Sequence, residues 1–394
     1  MRCAIVLLGF SLTASPAFAW EFDTALTVAP AREGVFHHLE ASGRASLAVD
    51  GKRVGLVWED NRRGRPEVYL ALKGAGDRFE APMRISGGGT AYEPAIAALQ
   101  GGGFVLAWEE NERIHACLVV EGAAGPVMQV DDAPGVQPTL SAGPDDRFVL
   151  AWVRKAGPES VLTRSGTARE GVLRLGKARA VEGEPPAAEK LFPSVAATRT
   201  GTVAAWEDRR HGHTRLYYAF APRGEGFGAI HQLNELIPAR SAEFGRGTGV
   251  TRVDLSTGDD GQVAAVWMDK REFEGGYKVY AALSRDGGRG FDANEKVQDV
   301  FGDTVPQWHP AIAVAPDGLV MAAWDDRRDD SSDVWLSWRT DEGWSDDLPA
   351  GPAYGPGEQS HPVLAFDADG VLHMAWVART PEGRTEIRYA TARR

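Results

Sequence analysis

The sequence predicts an all-β protein, a seven-bladed β-propeller of four-stranded blades. Three observations carry this. Trp58, Trp108, Trp152, Trp206, Trp267, Trp324 and Trp376 each close a short apolar run, at steps of 50, 44, 54, 61, 57 and 52 residues. Each copy holds short strand-like segments separated by turns, with no helical periodicity. The last copy ends after its third strand, and the chain's start offers a matching fourth. A period near fifty means one supersecondary unit copied around a ring.

Within each copy the elements follow one order. The inner strand opens on proline in Pro94-Ala95-Ile96-Ala97, Pro138-Thr139-Leu140, Pro193-Ser194-Val195-Ala196, Pro310-Ala311-Ile312-Ala313 and Pro362-Val363-Leu364-Ala365. Proline suits a strand's first residue, where no ladder donor is needed. Copies one and five keep the pattern without it, as Ser46-Leu47-Ala48-Val49 and Val253-Asp254-Leu255. A turn leads to the apolar run that ends in Trp, which reads as a strand buried on both faces. An alternating third strand follows, as in Leu216-Tyr217-Tyr218-Ala219. A weaker fourth follows that, as in Ile230-His231-Gln232-Leu233. The segment Phe22-Asp23-Thr24-Ala25-Leu26-Thr27-Val28 resembles Phe79-Glu80-Ala81-Pro82-Met83-Arg84-Ile85 and is expected to close the ring as the outer strand of the seventh blade.

Residues 1–19 read as a signal peptide: Arg2, the apolar stretch 4–10, and Ala17-Phe18-Ala19 ahead of a cleavage point before Trp20. Residues 20–394 then form one propeller domain, with 20–30 as the closing strand. The expected address is periplasmic or secreted, with no integral membrane segment once the leader is removed. Only Cys117 lies beyond the leader, so no internal disulfide can form, and its apolar neighbours read it as a small buried hydrophobe. Hydrophobic residues at 43% supply an ample core. The net charge of −12 argues against nucleic acid as a partner.

Ser284-Arg285-Asp286-Gly287-Gly288-Arg289-Gly290-Phe291 matches the Asp-box pattern S-x-D-x-G-x-x-[WF], with fragments at Gly76 and Phe79 and at Thr340-Asp341-Glu342-Gly343-Trp344. On these residues the chain resembles the sialidase-like, BNR-repeat propellers. The resemblance implies a structural hairpin away from the binding face. It does not extend to activity. Exo-sialidases have six blades, a Phe-Arg-Ile-Pro motif and a Tyr–Glu nucleophile pair. This chain has seven copies, no Phe-Arg-Ile-Pro, and no position matching the pair, so the fold is carried over and the chemistry is not.

Loops entering the inner strands and loops joining second to third strands share one end of a propeller. There the motif Trp-x-Asp-x-Arg recurs, with Asp60/Arg62, Asp208/Arg210, Asp269/Arg271 and Asp326/Arg328. Repetition favours loop capping, and a charged collar that binds a polar ligand is the functional alternative. The residues before the inner-strand prolines, Glu93, Gln137, His309 and His361, with Arg252 in copy five, are expected to ring the channel mouth. His37, His38, His211 and His213 map to the same end, so a transition metal on these histidines with His309 and His361 is one reading. Calcium on the carboxylates of 325–330 is another. The connection 235–251 is long enough to shape a rim.

The leading expectation is an exported, non-enzymatic propeller that binds a protein or glycan through this face. A sialidase-like, glycan-active hydrolase is the alternative, which needs two carboxylates roughly 5–10 Å apart. A metal-binding protein is the third.

Overall fold

In the computed structural model the described residues are 20–39, 43–51, 53–169, 171–235, 249–258, 260–272 and 275–394. The expected leader and most of the connection 235–251 lie outside them. The described chain forms seven antiparallel sheets around a ring. Blade 2 shows the plan: inner strand Ala91–Ala98, second Phe104–Glu110, third Arg113–Val120, and a short outer strand Met128–Gln129. The inner strands of blades 3 to 7 are Gly135–Ala142, Lys190–Ala197, Val250–Thr257, Gln307–Val314 and Glu358–Phe366. In blade 7 the third strand, Thr385–Arg393, pairs with Glu21–Phe22 and Leu26–Ala29, so both ends of the chain share one sheet. The only helical elements among the described residues are two single 3-10 turns, Gly302–Thr304 and Gly351–Ala353. No described helix is long and apolar enough to cross a membrane.

The seven tryptophans are the wedges of the ring, and each is fully buried. Trp108 packs with Val57, Val68 and Leu70 of blade 1. Trp267 packs with Val203, Ala205 and Tyr218 of blade 4, and Trp324 with Ala264, Val266 and Val279 of blade 5. Trp58 packs on Ala375, Val377 and Tyr389 of blade 7, across the closure. Each indole therefore fills the gap to the preceding blade, which explains why one large aromatic is needed per period. Burying a side chain of this size contributes about 3 kcal/mol or more. Cys117 lies in the same layer, and burial pushes its thiol up to about 12.

The Asp-box segment forms a hairpin turn at the end opposite the inner-strand entries. Asp286 accepts the N–H groups of Arg289 at 2.9 Å and Gly290 at 3.0 Å, Ser284 Oγ donates to Asp286 and accepts from Gly288 N–H, and Phe291 packs edge-on against Tyr218. Gly288 must be glycine, because a Cβ there would sit 1.9 Å from Val203 Cγ2.

Blade 1 departs from the other six. His37 and His38 pair with Asp60 and Glu59, as Ala91 and Tyr92 pair with Glu110 and Glu109 in blade 2. The ladder then resumes only at Leu47. Where blade 2 inserts two residues, the blade 1 insertion is longer, and its residues 43–46 enter the channel. Gly43 O accepts the Thr139 hydroxyl of blade 3 at 2.6 Å, and a Cβ on Gly43 would lie 2.5 Å from Val253 O of blade 5. Ala45 O accepts Ile96 N–H of blade 2. Residues 43–46 thus cross the channel and floor its mouth.

Beneath this floor Asp254 points into the lumen, where it accepts backbone N–H groups of Ile312, Leu255 and Gly43. Its distance from bulk water outweighs those three bonds and raises its carboxyl to about 7. A folded-state value above the unfolded one means that the native state holds the extra proton. This contribution is complete below about pH 4 and is lost as pH rises through about 7. Asp254→Asn keeps an acceptor for these donors and removes the charge. We expect it to raise Tm by about 1–3 °C at pH 8 and to leave it unchanged at pH 4, as read from thermal melts across that range.

Candidate functional site in the channel mouth

Six inner strands carry a register break at the same place, between Tyr92/Ala95, Val136/Thr139, Leu191/Ser194, Thr251/Asp254, Trp308/Ala311 and Ser360/Val363. One residue at each break is left-handed: Glu93 (φ 53°), Gln137 (58°), Phe192 (45°), Arg252 (64°), His309 (49°) and His361 (55°). A non-glycine residue there costs on the order of 1–3 kcal/mol, and a following proline disfavours it further. The bulge turns these side chains toward the axis. The backbone device repeats, while the side chains differ at nearly every position.

What holds five of the six bulges is an acceptor from the preceding blade. Glu93 N–H donates to Glu59 Oε2 at 2.7 Å, Arg252 N–H to Glu207 Oε1 at 2.6 Å, and His361 N–H to Asp325 Oδ1 at 2.9 Å. Gln137 N–H donates to Glu109, and Phe192 N–H to Gln137 Oε1 at 2.7 Å. Glu59, Glu109, Glu207 and Asp325 each follow the wedge tryptophan directly. Sequence reasoning missed them, although the signal was legible as Trp followed by two acidic residues in copies one, two, four and six. It also missed Arg44, which the channel insertion places on the floor, 2.7 Å from Glu93 Oε2 and 5.5 Å from the Phe192 ring.

The mouth is electrostatically lopsided. On one side Glu93 and Glu109 gather around Arg44, and Glu59 accepts the Glu93 N–H. Burial, reinforced by the charge of Glu93, raises the Glu109 carboxyl to about 7. Burial also raises Glu207, against the N–H of Arg252 and the hydroxyl of Thr251 at 2.7 Å. On the other side Arg252 lies 3.7 Å from the Phe192 ring centroid, and the His309 and His361 rings stack at 3.6 Å. His309 Nδ1 lies 2.8 Å from Asp325 Oδ1. Burial, then the neighbouring His309, His38 and Arg252, hold His361 well below the usual imidazole value. Phe36, Tyr92 and Trp308 stand exposed beside this ring.

The Trp-x-Asp-x-Arg residues occupy the same end but do not line the mouth. Trp58, Trp206, Trp267 and Trp324 donate their indole N–H to Asp60, Asp208, Asp269 and Asp326 at 2.8–3.4 Å. Each Asp also accepts the backbone N–H of Arg62, Arg210, Arg271 or Arg328. Each guanidinium pairs with that Asp and lies over the third-strand aromatic, Tyr69, Tyr217, Tyr280 or Trp335, at 3.9–4.5 Å. Each carboxylate thus takes its own indole, loop N–H and guanidinium, the loop-capping arrangement that the repetition favoured over ligand binding, and Asp208 also pairs with Lys190 at 2.7 Å.

The six expected metal histidines also separate. His37 is buried, with Nδ1 2.8 Å from Thr385 O, and His211 and His213 are exposed in the blade 4 loop. His38 remains near the mouth, 5.7 Å from the His361 ring and 3.3 Å from Glu59. The carboxylates of 325–330 do not converge as calcium would require: Asp325 faces blade 7, Asp326 serves Trp324 and Arg328, and Asp329 accepts the Tyr354 hydroxyl. A separate groove of about 480 Å³ opens between blades 3 and 4 at the opposite end, beside Arg147, Phe148, Arg179 and Phe227.

No protein-family model matches the sequence, and no curated protein matches it. Solved structures do match. An ulvan lyase of polysaccharide lyase family PL25 superposes with a TM-score of 0.56 at 8% identity, over 88% of this chain and 94% of its own. The Penicillium chrysogenum α-L-arabinanase gives 0.52 at 12%, over 76% and 92%. The Fusarium graminearum α-L-arabinofuranosidase Arb93A gives 0.51 at 13%, over 77% and 93%. At such identities the likeness is one of fold, a β-propeller.

Within the collar, Asp208 does more than cap its loop. Burial works to raise its carboxyl, but Arg210 and the fully buried Lys190, 2.7 Å away, bring it down to about 2. Asp208→Ala leaves the buried Lys190 ammonium with the Ala188 carbonyl at 3.4 Å and Glu182 at 3.7 Å. We expect a loss of about 3–5 kcal/mol in urea unfolding. Asp60→Ala, with no buried lysine behind the carboxylate, should cost clearly less.

Proposed function

We propose that this chain is a glycan-active propeller enzyme that cleaves a glycosidic bond in its channel mouth. Glu109 serves as the proton donor, and Glu93, ion-paired to Arg44, is the carboxylate partner. The observation that carries this reading is an acid held near neutrality beside a second carboxylate that raises it. Divergent environments of this kind separate an acid from a base or nucleophile in carbohydrate chemistry. Three features support it. The bulges spend backbone strain to aim polar side chains at one spot. Exposed Tyr92, paired with Glu109 across the blade 2 ladder, offers a flat apolar face to a sugar ring next to that spot, and exposed Trp308 offers another across the mouth. The solved propellers named above act on glycans.

In such a reaction Glu109 protonates the leaving oxygen, while Glu93 stabilises or attacks the anomeric centre as positive charge develops. Arg44 keeps Glu93 oriented from the floor. Arg252, across the mouth, is placed to meet an anionic or hydroxyl-rich substituent.

The test is release of reducing ends or of p-nitrophenol from arabinan, ulvan and a panel of aryl glycosides. Glu109→Gln should lower kcat by about 10²–10⁴-fold. Wild-type activity should decline as pH rises above about 7, where Glu109 loses its proton. Turnover unaffected by Glu109→Gln, or sugar binding without any cleavage across the panel, would move this propeller from the enzymes to the lectins.

A further inference from the structure

We propose that His309, His361 and Asp325 form a binding site for one divalent transition-metal ion of the zinc or copper class. Among the described residues these three form the cluster in which one imidazole or carboxylate ligand atom from each lies within 4.8 Å of the others. They come from adjoining blades, so the site is a product of ring assembly and not of a local motif. Both histidines are fixed by left-handed backbone ahead of a proline, at φ 49° and 55°. The Asp325 side chain is 4% exposed, whereas that of His309 is 33% exposed, so the cluster opens toward the mouth.

The spacing suits such an ion. His309 Nδ1 and Asp325 Oδ1 are 2.8 Å apart. Two ligands at about 2.1 Å in tetrahedral geometry are separated by roughly 3.4 Å. An ion held between them would spread the pair by about half an ångström. Asp325 Oδ1 also accepts His361 N–H at 2.9 Å, which orients the carboxylate toward both imidazoles. An imidazole–carboxylate set of this kind selects zinc, copper or iron over calcium. Three protein ligands leave a position for water or substrate, as catalytic rather than structural sites do. His38, whose ring lies 5.7 Å from that of His361, is the nearest further imidazole. The two imidazole rings stack at 3.6 Å, so sharing an ion in tetrahedral geometry would splay them apart by about 1–2 Å. This site stands whether or not the mouth cleaves glycans.

The experiment is calorimetric titration of the untagged full chain with ZnCl₂ and CuCl₂ at pH 7.5, with elemental analysis after gel filtration. We expect one ion per chain and at least tenfold weaker binding for His309→Ala and for His361→Ala. Asp325→Asn keeps an acceptor for the His361 N–H while removing the charge. It should also weaken binding at least tenfold with an unchanged Tm, which separates ligand loss from unfolding. Sub-stoichiometric binding, or affinity that none of the three changes moves, overturns the proposal.

Discussion

The contact on which this structure turns is the hydrogen bond from a strained inner-strand N–H to a side chain of the preceding blade. It does two things at once. It ties neighbouring blades together next to the axis, where apolar packing runs out and the channel begins. It also holds a left-handed residue that would otherwise relax, so a side chain is aimed at the axis at defined depth. The fold and the mouth are stabilised by the same bond, and its acceptor is a carboxylate in most blades. The residues that look like loop acids are thus part of the ring's inner seam.

Farther from the axis the division of labour is clear. The wedge tryptophans fill the space between blades, and the Asp and Arg two and four residues later satisfy the indole N–H and cap the loop. That unit is complete in four blades and altered in the others. Blade 2 substitutes Glu110, which takes the indole and the N–H groups of Gly87 and Gly89. In blade 7, Gln359 from the inner strand accepts the Trp376 indole. In these six blades the buried indole donor finds an acceptor, whereas in blade 3 the buried Trp152 indole N–H is left without one.

A ring of equivalent blades has no preferred site, so function must come from what breaks the symmetry. Two departures do so here. Blade 1 replaces the two-residue bulge with a longer excursion that floors the mouth and brings Arg44 against Glu93 and Phe192. The bulge positions themselves run from acid through amide and aromatic to arginine and two histidines, so opposite walls carry opposite chemistry. The acidic wall raises Glu109, and the imidazole wall holds His361 neutral, each through burial first and neighbouring charge second.

The sequence alone determined the number of blades, the order of strands within each, the closure by the first strand, and which end carries the variable residues. These follow from periodicity, because one Trp per fifty residues can be satisfied only by a repeated wedge. It also placed Glu93, Gln137, Arg252, His309 and His361 at one structural position. Only the tertiary structure decided which of the charged residues face a ligand. Spacing along the chain cannot distinguish Asp326, turned to its own tryptophan, from Asp325 one residue earlier, turned to the next blade. Alternation sends the two to opposite faces of the strand, and only the neighbouring blade reveals what each face meets. The same holds for Arg44, whose place on the channel floor comes from an excursion that no repeat pattern encodes. It holds as well for the histidines, three of which fold away from the mouth because their loops are filled by local partners or left in solvent.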